Sequence, residues 1–156
     1  MIKLRIIAVG KDKDTWVSEA CAHYIKLLKR FAVVEVKIVP STKAAPSIPP
    51  DQIMRREAER ISTLMSKGFN IALANRGRKM DTDEFAKWLQ AKIDTSRGII
   101  NFIIGGPHGL HRSVLSQVSE VVSLSPLTFS HQLVRLVLLE QIYRALSITH
   151  GTDYHK

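Results

Sequence analysis

Residues 99–104, Ile-Ile-Asn-Phe-Ile-Ile, narrow most sharply what this chain can become. Apolar side chains at both odd and even positions leave a strand with no face to give to water. It must lie inside a sheet covered on both sides, the usual state of parallel sheets, whose crossover connections lay helices on the two faces. The rest of the chain supplies the other parts. Patterning predicts strands at 2–9, 33–39, 70–74 and 120–124, and helices at 14–30, 50–67, 81–94, 112–119 and 131–149. Strand and helix alternate from end to end. The expectation is an α/β fold, a mostly parallel sheet flanked by helices, formed as one domain over residues 1–156.

Local signals punctuate these elements. Gly10 ends the first strand, and Lys26, Lys29 and Arg30 sit where a helix carboxyl end favours cations. Pro50-Asp51 opens the second helix and Gly68 is read as its close. Asp81 with Glu84 has the spacing of a capping box. The 41–50 segment, rich in Pro, Ala and Ser, is too short for a domain linker.

Composition bounds the function. Lys plus Arg number 23 against 14 Asp plus Glu, a net charge of +9, which favours a polyanionic partner such as nucleic acid. The single cysteine, Cys21, excludes an internal disulfide and reads as a small buried hydrophobe. No apolar run reaches the roughly 20 residues of a membrane span, and Lys3 and Arg5 break any signal-peptide pattern. A cytoplasmic protein with no membrane partner is expected.

In open α/β sheets, ligands collect at the carboxyl ends of the strands. Three such ends carry suitable loops: Leu73-Ala74-Asn75-Arg76-Gly77, Gly105-Gly106-Pro107-His108-Gly109, and Leu124 to Phe129. The second is neither a dinucleotide fingerprint nor a P-loop, because no Gly-Lys-Ser/Thr follows and Pro107 lacks an amide donor. Loops offering carbonyls and the side chains of Leu73, Leu124 and Leu127 suit an uncharged heterocycle such as adenine. A helix bearing His131, Arg135 and Tyr143 begins beside the third loop. No metal is expected, since His108 and His111 have no acidic or thiol residue completing a ligand set, and His150 and His155 lack helical spacing. Gly-x-Ser-x-Gly does not occur.

Several ordered motifs together resemble one family. They are Ile104-Gly105-Gly106-Pro107-His108-Gly109-Leu110, the run from Leu124-Ser125-Pro126-Leu127-Thr128-Phe129-Ser130-His131 to Arg135, Glu140-Gln141-Ile142-Tyr143-Arg144-Ala145, and terminal Tyr154-His155-Lys156. With Ala8-Val9-Gly10-Lys11, these are similar to the bacterial methyltransferases of the SPOUT class that methylate N3 of a pseudouridine in large-subunit ribosomal RNA. The resemblance implies a C-terminal trefoil knot, a homodimer, S-adenosylmethionine as methyl donor, and ribosomal RNA, in the context of the ribosome, as partner. It assigns the donor to Leu73, Gly105, Leu124, Ser125, Pro126, Leu127, Thr128 and Phe129. His108, where the family varies in polarity, and Lys156, where some members carry arginine, depart from the pattern.

Chemistry points to His131 as a base, with helix capping or loop orientation as its rival role. Arg135, one turn on, reads as a contact to RNA phosphate or the donor's carboxylate. Tyr143 is expected at a subunit interface, and Glu140 with Arg144 as a helical ion pair. The tail adds Tyr154 and His155 as catalytic candidates, and the resemblance implies that it completes the site, reaching a donor held by the partner subunit. RNA contacts are expected from Arg76, Arg78, Lys79, Arg112 and Lys156, with Lys11 outlying, whereas Arg55, Arg56 and Arg60, alternating with Glu57 and Glu59, read as a solvated face. The last helix has more Leu and Val than one small sheet covers, which favours a dimer over complete burial within the monomer. A catalytically silent RNA-binding module on the same fold is the rival function, and donor titration separates the two. A nucleotide-dependent oxidoreductase lacks the acidic ribose-binding residue it needs.

Overall fold

A computed structural model describes residues 1–65 and 68–156. Its elements run β1 (Ile2–Val9), α1 (Thr15–Leu28), β2 (Ala32–Val39), α2 (Pro50–Leu64), β3 (Phe69–Lys79), α3 (Thr82–Thr95), β4 (Ile99–Ile104), α4 (Arg112–Leu115), β5 (Glu120–Ser123) and α5 (His131–Thr149). The strands form one sheet in the order β2-β1-β4-β3-β5, with every pairing parallel. The doubly apolar β4 lies at its centre, between β1 and β3.

Alternation along the central strands separates two cores. Leu4, Ile6, Ala8, Ile100, Phe102 and Ile104 pack in the layer that includes α1, α3 and α5. Ile7, Val9 and Ile103 face the other way, onto Ala58 and Ile61 of α2 and Val114 of α4. Helix α5 lies against both α1 and α3, and Leu138, Leu139, Ile142 and Leu146 are buried there. Each apolar side chain of this size stabilises the fold by about 1.5–3 kcal/mol when withdrawn from water.

Helix ends follow their signals. Asp81 and Glu84 form the reciprocal capping box, Glu84 N to Asp81 Oδ1 at 2.8 Å and Asp81 N to Glu84 Oε2 at 2.9 Å. Helix α2 is described to Leu64 with Met65 as its cap; the expected continuation through Lys67 lies outside the described residues. Helix α4 is one turn, because Ser116 and Gln117 close it with bonds to Arg112 O and Val114 O. The largest difference is β3, which continues past Ala74 to Lys79 where a loop was expected. It pairs with β5 twice: Leu73 faces Val122, residues 74–77 leave the ladder, and Arg78 faces Val122 again.

Candidate active site

That excursion makes one wall of a cavity of about 620 Å³ at the carboxyl ends of β3, β4 and β5. Leu73, Ala74, Asn75 and Arg76 line it from β3, residues 104–110 from the loop after β4, and Leu124, Ser125 and residues 127–131 from the loop into α5. Gly77 is what lets β3 return: a Cβ there would lie 2.6 Å from the carbonyl carbon of Val122. The loop after β4 folds back on itself, with Gly109 N donating to Gly106 O at 2.9 Å. Gly105 is crowded by that turn, its Cβ position lying 2.6 Å from the Gly109 carbonyl carbon, and Gly109 has φ +84°, a left-handed conformation glycine adopts freely.

The third loop is held by its own hydroxyls. Ser123 Oγ donates to Ser125 O at 2.9 Å, and Ser125 Oγ accepts from Leu127 N at 3.0 Å. Asn75 Nδ2 reaches across to Thr128 Oγ1 at 3.2 Å, tying the first wall to the third. Of the eight residues expected to bind the donor, Leu73, Gly105, Leu124, Ser125, Leu127, Thr128 and Phe129 line this one cavity. Pro126 does not; it is exposed. Leu127 is 69% exposed, an aliphatic side chain left beside an open pocket.

His131 lies at the first turn of α5 and lines the cavity. Ser130, not His131, caps that helix, accepting from Leu133 N at 3.2 Å, so the imidazole is free of the capping role. Burial lowers the His131 pKa, and the positive charges of Arg135 and Lys13 lower it further against an opposing Asp12. Its neutral form, with a free lone pair, is therefore favoured.

Arg135 differs from its expected role. It is 3% exposed, and its guanidinium donates to Asp12 Oδ1 at 2.6 Å, to Val9 O at 2.7 Å and to Gly10 O at 2.5 Å. A guanidinium committed to the β1–α1 connection is withheld from phosphate and from the cavity, whose lining includes the neighbouring Val134. It fixes His131 indirectly, by locking α5 onto the end of β1.

Comparison with known proteins decides what this arrangement belongs to. Residues 2–155 match the family model described as "Predicted SPOUT methyltransferase". The chain belongs to the SPOUT methyltransferase family. A relative from Lactobacillus delbrueckii subsp. bulgaricus, named "Ribosomal RNA large subunit methyltransferase H", is 40% identical over 159 residues, covering 99% of this chain and 100% of its own. A relative of the same name from Bacteroides fragilis is 35% identical, covering 99% of both chains. Among solved structures, a probable methyltransferase from Bordetella pertussis Tohama I superposes with a TM-score of 0.59 at 14% identity, over 93% of this chain and 95% of that one. A probable methylase family protein from Haemophilus influenzae gives 0.54 at 13% identity, over 99% and 70%. These two share the fold.

In this SPOUT methyltransferase the C-terminal tail is ordered against its own helices and lines none of the cavity. Tyr154 packs edge-on to Tyr143 at 4.6 Å, and its hydroxyl donates to Glu140 Oε1 at 3.0 Å. Burial, then the hydrogen bonds to Tyr24 and Glu140, raises the Tyr154 pKa, so its phenol stays protonated. Arg144 bonds Glu140 at 2.8 Å, as the helical pair expected, and its Nη1 lies 3.1 Å from His155 Nδ1. Tyr143, expected at a subunit interface, is instead buried within the chain among Tyr24, Phe31 and Tyr154.

The cations sort by position. Arg76, Arg78 and Lys79 are exposed on and beyond the β3 excursion, and Arg76 enters the cavity lining. Glu57, expected among alternating surface charges, is buried at 4% exposure, which leaves Arg55, Arg56 and Arg60 less balanced than the sequence suggested. Sequence reasoning put Asn75 and His108 in the ligand-collecting loops without giving either a binding role, and it missed Ser130 as a cavity residue. Their place on glycine-flanked or capping positions beside the strand ends was the available signal. Among the described residues, no group of three His, Cys, Asp or Glu could hold a metal, and no helix is long and apolar enough to cross a membrane.

Proposed function

We propose that this methyltransferase uses S-adenosylmethionine to methylate N3 of a pseudouridine in large-subunit ribosomal RNA. One observation carries the reading: a single cavity at the ends of three parallel strands gathers seven of the residues to which the family resemblance assigns the donor. The residues present suit that donor. Leu73, Leu124 and Leu127 offer aliphatic surface to adenine, glycines allow close approach of backbone, and Arg76 offers a cation to the amino-acid carboxylate. Bound there, the donor would supply an electrophilic methyl group on sulfur.

The chain's own contribution is placement and proton handling. Holding two reactants in line is worth effective molarities of about 10⁵–10⁸ M, whereas a base adds about 10²–10⁴-fold. As the acceptor N3–C bond forms and the methyl–sulfur bond breaks, the imide proton must leave. Neutral His131 at the cavity wall accepts it in this reading, with His155 of a second copy as the other candidate. The homodimer, in which each tail reaches the other copy's cavity, belongs to this proposal, as do the knotted C-terminal threading, action of the whole chain as one unit, a cytoplasmic location and substrate presented by the ribosome.

Two measurements test it. Calorimetric titration with S-adenosylmethionine or its spent thioether should show binding that bulky substitution of Gly105 abolishes. Mass mapping of ribosomal RNA from cells lacking the protein should show one pseudouridine short of a methyl group. A full set of modifications in those cells rules the activity out.

A further inference from the structure

A second cavity of about 370 Å³ lies beside the first, between the segment after β2 and the start of α2. Ala44, Ala45, Pro46, Ile48 and Ile53 give it aliphatic walls, and His108 closes one side. His108 also lines the donor cavity, so one imidazole is the partition between the two spaces. We propose that this cleft is a second RNA subsite, which takes the unstacked base of a nucleotide next to the methyl acceptor. The inference rests on the ribosomal RNA reading above and extends it to how the strand is held.

Position argues first. An acceptor base entering the donor cavity brings its chain neighbours to that cavity's rim, and the cleft begins across His108. Aliphatic walls and an imidazole suit a base, and sequence-specific RNA recognition favours unstacked, splayed bases.

Charge argues second. Lys43 is exposed on the segment that forms the cleft's outer wall. Arg60 Nη1 donates to Pro40 O at 2.8 Å and to Thr42 Oγ1 at 3.3 Å, anchoring the start of that segment. Arg56 is exposed one helical turn before Arg60. The nearby acid Asp51 pairs with Arg55 at 3.4 Å, which offsets part of its charge. Behind the partition, Glu57 is buried with Oε2 unpaired, 3.0 Å from where a Cβ on Gly106 would stand. Burial raises the Glu57 pKa, with His108 and Arg60 opposing the rise.

The test uses Ala45→Trp, which fills the cleft from a residue outside the donor cavity, and Lys43→Glu, which reverses a rim charge without touching the walls. Wild type and both variants are co-sedimented with ribosomal particles lacking the modification, and assayed for methyl transfer and for donor binding by calorimetry. Ala45→Trp should bind particles roughly tenfold more weakly and raise the particle KM in proportion, Lys43→Glu should lose less, and donor affinity should not change. Particle binding by Ala45→Trp equal to wild type overturns the subsite, and so does a loss confined to donor binding. Should the wild type co-sediment yet transfer no methyl, the methylation reading falls, and the cleft is then decided by co-sedimentation alone.

Discussion

Arg135 shows how a residue can be singled out correctly and assigned the wrong task. An arginine inside Leu133-Val134-Arg135-Leu136-Val137 is anomalous, and sequence reasoning drew from this a contact to phosphate or carboxylate. Its true acceptors, Asp12 and the carbonyls of Val9 and Gly10, lie over 120 positions away, and no local pattern announces them. Removing the guanidinium leaves a half-buried carboxylate and two carbonyls without their donor, so Arg135→Met should cost about 2–3 kcal/mol, read as a lowered urea midpoint. Arg135→Lys should recover only part, because one ammonium cannot span three acceptors set for a planar fork. His131 gives the complementary case, legible as chemistry but not in its electrostatics. Since burial and the neighbouring Arg135 and Lys13 lower its pKa, the imidazole is neutral above that value and charged below it. The turnover rate should fall as pH drops through the lowered pKa and be flat above it. Lys13→Gln removes one cationic neighbour and should move the inflection to higher pH, while His131→Ala should slow turnover about 10²–10⁴-fold and erase the inflection. An inflection unchanged in Lys13→Gln assigns the titration to another group.

Elements whose identity depends on near neighbours were legible, and those set by pairing across the sheet were not. Strand β1, strand β4 and helix α5 begin and end where alternation, an unbroken apolar run and helical spacing respectively place them, because each signal is local. The Asp81–Glu84 box likewise needs only its own four residues. Strand β3 is different. Asn75-Arg76-Gly77-Arg78-Lys79 reads as a polar loop, yet Arg78 and Lys79 resume the ladder with Val122 and Ser123. That second pairing depends on a backbone approach permitted by the missing side chain at Gly77, a fact about β5 rather than about β3. Gly77→Ala would drive a Cβ to within 2.6–2.8 Å of the backbone of Val121 and Val122. The expected result is local opening of β3 from β5, seen as faster amide exchange at Arg78 and Lys79. Donor affinity should fall with it, because residues 73–76 form a cavity wall. Exchange confined to wild-type rates in Gly77→Ala would show that the sheet accommodates the methyl group and that the excursion is set by something else.

Net charge was visible from composition, but its distribution over the surface and the reach of the tail depend on the folded chain. The tail rests on α1 and α5 of its own chain through Tyr24, Tyr143, Glu140 and Arg144, and contributes nothing to its own cavity. Exposed apolar residues Trp16, Val36 and Ile38 and the half-buried Leu133, Leu136 and Val137 leave surface that a second copy would cover. If each tail serves the other copy's cavity, truncation after Asp153 should leave donor binding intact and abolish transfer. Loss alone does not separate a tail acting on its own cavity from one acting on its partner's, but mixing does. A heterodimer of the truncated chain with His131→Ala holds one complete site, formed by the truncated chain's cavity and the other chain's tail. The statistics of random pairing put half of the dimers in that state with one of two sites working, so co-refolded mixtures should regain about a quarter of wild-type turnover. A tail that acted within its own chain would leave every site in the mixture defective, and refolded mixtures that bind donor yet stay inactive would establish that arrangement instead.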